Sequence, residues 1–441
     1  MRRCIAAAAV AFVAVAVLSA QRGGWFIESR NHPAIEYSGG PLSDPIVELN
    51  RKLLDGSVEL TFEPVSGYLG SLLEALDVPR ESQVSVFSPT SFQASRITME
   101  NPRTLFFNDT VSVGWVRTGP VVEIAAQDPR QGVVFYTLEQ KESGTPQLTR
   151  NDDCLACHLT RDTLGVPGLV VYSVAPLADE RAYRDASVID HRSALEDRWG
   201  GWYVTGGQAL EHKGNTPTEG PQARRRDAGG TPQLASLEDT FDTSGYLTPY
   251  SDVAALMVLE HQTHMTNLLT RMGWEARVAA HEARTPDLRA PRASDDDRVR
   301  ATAHELVDYL LFIDEAPLPG EPERLRGQSG FAGAFAAAGP RDRQGRSLRD
   351  LDLGTRLMRY PCSYMIYTDA FDELPAEALD LIYQRMWQIL SGEERGPRYT
   401  RLSPADRQAI VEILRETKPN LPDYFQPLGG SSSGSKDPPL R

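Results

Sequence analysis

Cysteine is scarce in this chain, which has four among its 441 residues. A structural zinc site needs about four ligands and commonly uses two cysteine pairs. Only Cys154 and Cys157 form a pair, because Cys4 and Cys362 each stand alone. The scarcity therefore disfavours a cysteine-rich zinc module and leaves one cysteine pair to explain.

Long hydrophobic runs are also missing, apart from one near the start. Ile5–Ser19 is an apolar run that follows the basic start MRR. It is shorter than the roughly 20 residues that span a bilayer, and Ala20 supplies a small residue for cleavage before Gln21. We therefore expect a cleaved signal peptide over residues 1–20, no membrane span after its removal, and a periplasmic or secreted protein.

Positive charge is in short supply. The chain has 46 Lys and Arg against 60 Asp and Glu, a net charge of −14, which becomes −16 when Arg2 and Arg3 leave with the signal peptide. An acidic surface disfavours nucleic acid and anionic membranes, and it suits a basic protein partner, although solubility alone accounts for it as well. The hydrophobic share of 41% is a globular value, and the length predicts two lobes.

One short segment carries recognisable chemistry, because residues 154–158 read CLACH. Two thiols three positions apart can add to the two vinyl groups of a haem, and His158 then lies beneath the ring, where a neutral imidazole is a good iron ligand. Asp152 and Asp153 put negative charge beside the thiols, which disfavours the low thiolate pKa of a thioredoxin-like pair. Zinc binding and dithiol chemistry stay open as alternatives.

The CLACH segment resembles the attachment site of c-type cytochromes. The resemblance implies one covalent haem c, with Cys154 and Cys157 as thioethers and His158 as the proximal ligand of the iron. The whole chain also resembles a group of large exported monohaem cytochromes without an established activity. Five segments carry that second resemblance: FFND at 106–109, CLACH, WGGWYVTG at 199–206, EHQ at 260–262 and RYPCSY at 359–364.

The second axial position of a haem iron decides between electron carriage and ligand chemistry. His261 is the first choice for the distal ligand, because it stands in the middle of a predicted helix, on or near its apolar face, where an imidazole must be satisfied. Cys362 has no cysteine partner once a haem takes two, so it is a buried small hydrophobe or a sulfur ligand. The other distal candidates are His191, His212, His264, Met265, Met365 and Met386.

The order of the predicted elements gives the organisation. Short β-branched and aromatic runs with close turns predict an antiparallel meander between residues 83 and 140, and the haem motif follows directly. We expect a β-rich haem-attachment region over 21–247, with a long loop at 206–247, and a helical region over 248–425 that packs on it. The tail 426–441 is expected to be disordered. Helices are predicted at 44–54, 67–76, 251–283, 295–313, 321–337, 347–367, 375–391 and 403–417.

These observations predict an α+β fold, with an antiparallel β-rich N-terminal half and a mainly α-helical C-terminal half. The function that they favour is electron transfer through one covalent haem to a redox partner protein. The alternative is a haem enzyme or sensor, peroxidase-like or gas-binding, with an open distal site. A third hypothesis is a scaffold that carries a structural haem.

Overall fold

The computed structural model describes residues 25–174, 186–207, 210–216, 231–285 and 293–425. The predicted signal peptide, the predicted disordered tail and part of the predicted loop at 206–247 lie outside these residues and stay predictions. Within the described residues, the N-terminal half holds an antiparallel sheet and the C-terminal half is mostly helical. The predicted α+β class is confirmed.

A seven-stranded sheet dominates the N-terminal half, in the order β6-β5-β4-β3-β2-β1-β9. Every neighbouring pair in it is antiparallel. Strands β7 and β8 form a separate two-stranded ribbon. The described strands are β1 (Val84–Val86), β2 (Arg103–Phe107), β3 (Val111–Trp115), β4 (Val121–Asp128), β5 (Gly132–Glu139), β6 (Thr149–Arg150), β7 (Tyr172–Val174), β8 (Ala186–Val188) and β9 (Trp202–Tyr203).

Short polar side chains close the turns of this meander. The Oδ1 atom of Asn108 accepts the backbone N–H of Val111 at 2.8 Å, between β2 and β3. The Oδ1 atom of Asp128 accepts the N–H of Gln131 at 2.7 Å, between β4 and β5. Such bonds favour a turn over continued strand, and they fix the register of the flanking strands.

The sheet has two different faces, because side chains alternate along each strand. One face is fully buried and includes Val113 and Ile124, which pack in one core with α1 (Pro45–Asp55) and α2 (Leu69–Ala75). The opposite face is largely half-buried, and its central side chains are small. We call it the motif face, and it is formed by Leu105, Ser112, Gly114, Glu123, Ala125, Phe135 and Thr137.

One long helix organises the C-terminal half. Helix α4 (Val253–Arg284) is buried almost throughout its first two thirds, as expected of a helix at the centre of a core. Asp252 caps it by accepting the N–H of Ala254 at 2.9 Å. It packs against α5 and also against β5. The other described helices are α3 (Leu155–His158), α5 (Ala293–Leu310), α6 (Pro322–Leu325), α7 (Phe331–Ala337), α8 (Asp369–Asp372), α9 (Ala376–Leu390) and α10 (Pro404–Thr417). None of the helices in the described ranges is long and apolar enough to cross a bilayer.

The prediction of a helix over 347–367 is wrong. An antiparallel bridge joins Leu351 to Met358, and only Tyr364–Tyr367 forms a short 3₁₀ helix. The carboxylate of Asp352 accepts two backbone N–H groups of the turn that follows it. This local bonding competes with a helix that the apolar spacing alone suggests.

Two other predicted elements are shorter than expected. The helix predicted over 321–337 is divided into α6 and α7, because Gly327 and Gly330 have φ angles of 72° and 90°. These angles lie in the left-handed region, which interrupts a helix. The apolar run at 168–174 also predicts a strand, and the structure forms it only from Tyr172 onward.

Candidate functional site

The CLACH segment forms a short helical turn beside the sheet. A 3₁₀ turn at Asp152–Cys154 continues directly into α3. Leu155 is buried and anchors the turn in the core, whereas Cys154 is half-buried and Cys157 is exposed. Both cysteines are free thiols. Residues three apart share one side of a helix, so the turn presents the two thiols together.

His158 is fixed in one orientation. Its Nδ1 atom lies 2.9 Å from the carbonyl oxygen of Gly168, and its ring packs on Phe135 with 4.7 Å between the ring centroids. Burial lowers the pKa of His158 below its usual value, so the ring is neutral at pH 7. A neutral ring that donates from Nδ1 keeps its lone pair on Nε2. That atom has no hydrogen-bond partner in the described part of the chain.

The carbonyl that orients His158 is itself anchored by helix α4. The side chain of Asn267 accepts the N–H of Leu169 at 2.9 Å, which belongs to the same peptide group as the Gly168 carbonyl, and it donates to the carbonyl of Leu169 at 2.7 Å. A Cβ atom on Gly168 would overlap the carboxamide of Asn267 and lie 3.3 Å from the Cβ of Thr163. Glycine is therefore needed where the chain passes between these two side chains. The orientation of His158 depends on a helix that is distant in sequence.

The thiol of Cys154 is unsuited to ionisation. Burial, and after it the charge of Glu123, raises the pKa of Cys154 to about 11. Glu123 pairs with Arg103 on the motif face. A thiol with such a pKa is a poor nucleophile for dithiol exchange. Within the described ranges, no three His, Cys, Asp or Glu side chains are grouped as ligands of a metal ion. The raised pKa of Cys154 therefore disfavours the dithiol alternative.

These residues also fit the donor set of a haem c. The two free thiols are available for thioether bonds, and the Nε2 lone pair of His158 is available for iron. Histidines that bind metals usually donate their other ring N–H to a carbonyl or carboxylate, which fixes the tautomer. The bond to Gly168 is of this kind.

His261, the expected distal ligand, lies in the helical core with both ring nitrogens engaged. Its Nδ1 is 2.8 Å from Nδ1 of His191, and its Nε2 is 2.7 Å from Oγ of Ser363. Its ring stacks on Tyr309 and Phe312 at centroid distances of 5.2 and 4.4 Å. The expectation that this imidazole must be satisfied is met by side chains. In this arrangement it has no lone pair to offer to iron.

Two further distal candidates belong to the same buried cluster. The Nε2 atom of His264 lies 3.2 Å from Arg192, and its Nδ1 lies 4.0 Å from Asp190. Burial lowers the pKa of His264 to about 4 and that of His261 to about 3. His191 bonds to His261, and its other ring nitrogen is buried without a partner in the described residues. All three rings are neutral at pH 7.

The remaining distal candidates are also packed into the interior. His212 accepts the N–H of Gly214 at 3.0 Å, and its ring meets that of Trp199 edge-on at 5.2 Å. Cys362 is fully buried, and burial raises its pKa, as expected of a small hydrophobic side chain. The three candidate methionines are each at most 1% exposed in the helical core: Met265, Met365 and Met386.

Three residues that position His158 were not predicted from the sequence: Phe135, Gly168 and Asn267. A signal existed for Gly168, because residues 165–168 read GVPG, which marks a turn. Phe135 and Asn267 gave no such signal, because their roles depend on contacts between distant parts of the chain.

The chain matches no protein-family model, no curated protein and no solved structure.

Proposed function

We propose that the chain is an exported monohaem c-type cytochrome that transfers electrons. Cys154 and Cys157 would hold the haem through thioether bonds, and His158 would be its proximal ligand. The bond from Nδ1 of His158 to the carbonyl of Gly168 carries this proposal, because it leaves Nε2 as the ligating atom. When bound, the haem supplies an iron that gains and loses one electron.

The residues around the motif have separate tasks in this proposal. Gly168 orients the imidazole and increases the electron density on its Nε2 atom. Phe135 covers one side of the ring and reduces its contact with water. The exposure of Cys157 places the attachment turn at the protein surface, where a redox partner can approach closely.

The charges near the attachment turn favour a basic partner. Asp152, Asp153 and Asp162 are exposed around it, where they outnumber Arg150, which pairs with Asp152, and the exposed Arg161. The whole chain is acidic as well. Complementary charge speeds the encounter of redox proteins and loses its effect as salt screens it. The proposed partner is therefore a basic redox protein, which binds more weakly at high ionic strength.

A second candidate function is a haem protein with an open distal site, for peroxide chemistry or gas binding. One observation favours it: both ring nitrogens of His261 bond to other side chains, and His264 lies against Arg192 and Asp190. His261 is the first choice for a distal ligand, and His264 follows one turn later on the same helix. With these bonds in place neither histidine would bind iron strongly, and a bound haem without another strong second ligand would be open to peroxide or gas.

Visible spectroscopy separates the two candidates. The full chain would be produced with haem-maturation machinery, and reduced and oxidised spectra recorded with and without carbon monoxide. A low-spin spectrum indifferent to carbon monoxide supports the carrier, whereas a high-spin spectrum that shifts with carbon monoxide supports the open site. The variant His261→Gln tests the distal assignment. An unchanged spectrum in this variant shows that His261 is not an iron ligand, and conversion from low to high spin would show that it is.

A further inference from the structure

A cavity of about 610 Å³ lies at the end of the sheet, between the β2–β3 turn, the end of α2 and helix α7. Its volume is in the range of small-molecule sites. None of its lining residues belongs to the CLACH turn or to the loop that holds His158. Whatever it binds, it binds without the residues of the proposed haem site.

The apolar part of its wall is aromatic. Phe107 from β2 meets Phe331 of α7 with 5.7 Å between the ring centroids, and Phe331 stacks on Phe335 at 5.6 Å. Ala334 on the same helix and Ala338 directly after it are exposed and also line the cavity. Aromatic rings beside small side chains leave room for a flat apolar body.

The polar part of the wall centres on one buried cation. The side chain of Arg349 is only 8% exposed, and its guanidinium lies 4.5 Å from the ring of Phe335 and 4.4 Å from that of Tyr364. It pairs with Asp109 through Nη2. Its Nε and Nη1 atoms have no hydrogen-bond partner in the described residues.

An arginine presents five N–H donors in a flat fork. The two rings fix the plane of this fork, and Asp109 uses only its Nη2 edge. The guanidinium therefore has donors in reserve for a second carboxylate, and it is already ordered before a ligand arrives.

The charges at the rim limit how much negative charge a ligand can carry. Glu74 is paired with Arg80 at 2.6 Å and Asp109 with Arg349, and Asp77 adds a further negative charge among the lining residues. A phosphate or a dicarboxylate would be repelled by this rim more strongly than a monoanion.

We propose that this cavity binds a small aromatic monocarboxylate, whose carboxylate bonds to Arg349 and whose ring lies against Phe107, Phe331 and Phe335. The ligand enters past the exposed alanines of α7. This site shares no residue with the proposed haem site, so a test that refutes one proposal leaves the other unaffected.

Calorimetric titration of the full chain with benzoate tests the proposal, with benzyl alcohol and inorganic phosphate as comparison probes. We expect saturable binding of benzoate, and binding of the other two probes at least about tenfold weaker. Equal affinity for benzyl alcohol would remove the role of Arg349 and overturn the proposal. Stronger binding of phosphate would show a simple anion site and would also overturn it.

Two variants of one helix locate the binding. Ala334→Trp places a large ring at the cavity and should weaken benzoate at least about tenfold. Ala337→Trp is the matched control, because Ala337 is exposed on the same helix but does not line the cavity. Arg349→Gln should abolish binding, and the tryptophan pair decides the matter if that variant does not fold. Equal binding by the two tryptophan variants would refute the site.

Discussion

Gly168→Ala should damage the support of His158 although it adds a single methyl group. The new Cβ would overlap the carboxamide of Asn267 and lie 2.8 Å from its Cγ. Asn267 is 1% exposed and has little room to move. Its displacement would break both hydrogen bonds to Leu169 and leave a part-buried N–H and a part-buried C=O unpaired. A fully buried unsatisfied group costs about 1–3 kcal/mol, and because water reaches these two groups in part, we expect a total loss of about 1–3 kcal/mol.

Urea unfolding of the purified chain measures this loss. Gly144→Ala is the matched control, because a Cβ at Gly144 meets nothing within 4 Å, and we expect a change within about 0.5 kcal/mol. The double variant Gly168→Ala/Asn267→Ala isolates the cause. If the clash with Asn267 is responsible, Gly168→Ala costs little more once Asn267 is already alanine. A loss of stability in the double variant that equals the sum of the losses in the two single variants would refute this reasoning.

Three further predictions concern other parts of the fold. Glu260→Ala leaves the buried guanidinium of Arg198 without its partner at 3.0 Å, and urea unfolding should show a loss of about 3–5 kcal/mol; a change below 1 kcal/mol would contradict this. His264 has a folded pKa of about 4 against an ordinary value of 6.5, so its unfolded form takes up a proton first and stability falls as the pH falls below 6.5. His264→Gln should therefore reduce the stability difference between pH 7 and pH 5 by up to about 2 kcal/mol, and an unchanged difference would show that this histidine does not titrate as described. Ser403 caps α10, because its Oγ accepts the N–H of Asp406 at 3.1 Å. Ser403→Ala removes this bond, and thermal unfolding should show that the free energy of unfolding falls by about 1 kcal/mol. An unchanged stability would indicate that this cap does not form in solution.

Local sequence patterns predicted most of the helices and strands, but they did not predict which distant residues those elements contact. The meander between residues 83 and 140 follows from β-branched runs separated by turn residues such as Asn108, and the structure confirms it. Helix α4 follows from its apolar spacing, with Ser251 or Asp252 as the possible cap, and the structure shows that Asp252 caps it. No helix spans 347–367 although the apolar spacing suggests one, because the carboxylate of Asp352 bonds to the backbone of its own turn.

The candidate site also combines local features, which the sequence predicts, with contacts between distant segments, which it does not. The CLACH turn is local, so the sequence alone indicated which side chains meet there. The partners of His261 are not local, because His191 and Ser363 come from distant segments. A buried histidine on an apolar helix face must be satisfied, but its position in the sequence does not say whether a metal or another side chain does so.

The mass of the purified chain under denaturing conditions shows whether Cys154 and Cys157 hold a haem. Denaturation removes a haem that is held only by coordination, and it leaves a haem that is bound through thioethers. We predict that the chain made with haem-maturation machinery is heavier by one haem, that Cys154→Ser and Cys157→Ser together remove this mass, and that Cys362→Ala does not. A chain of unmodified mass with both thiols free would contradict this prediction.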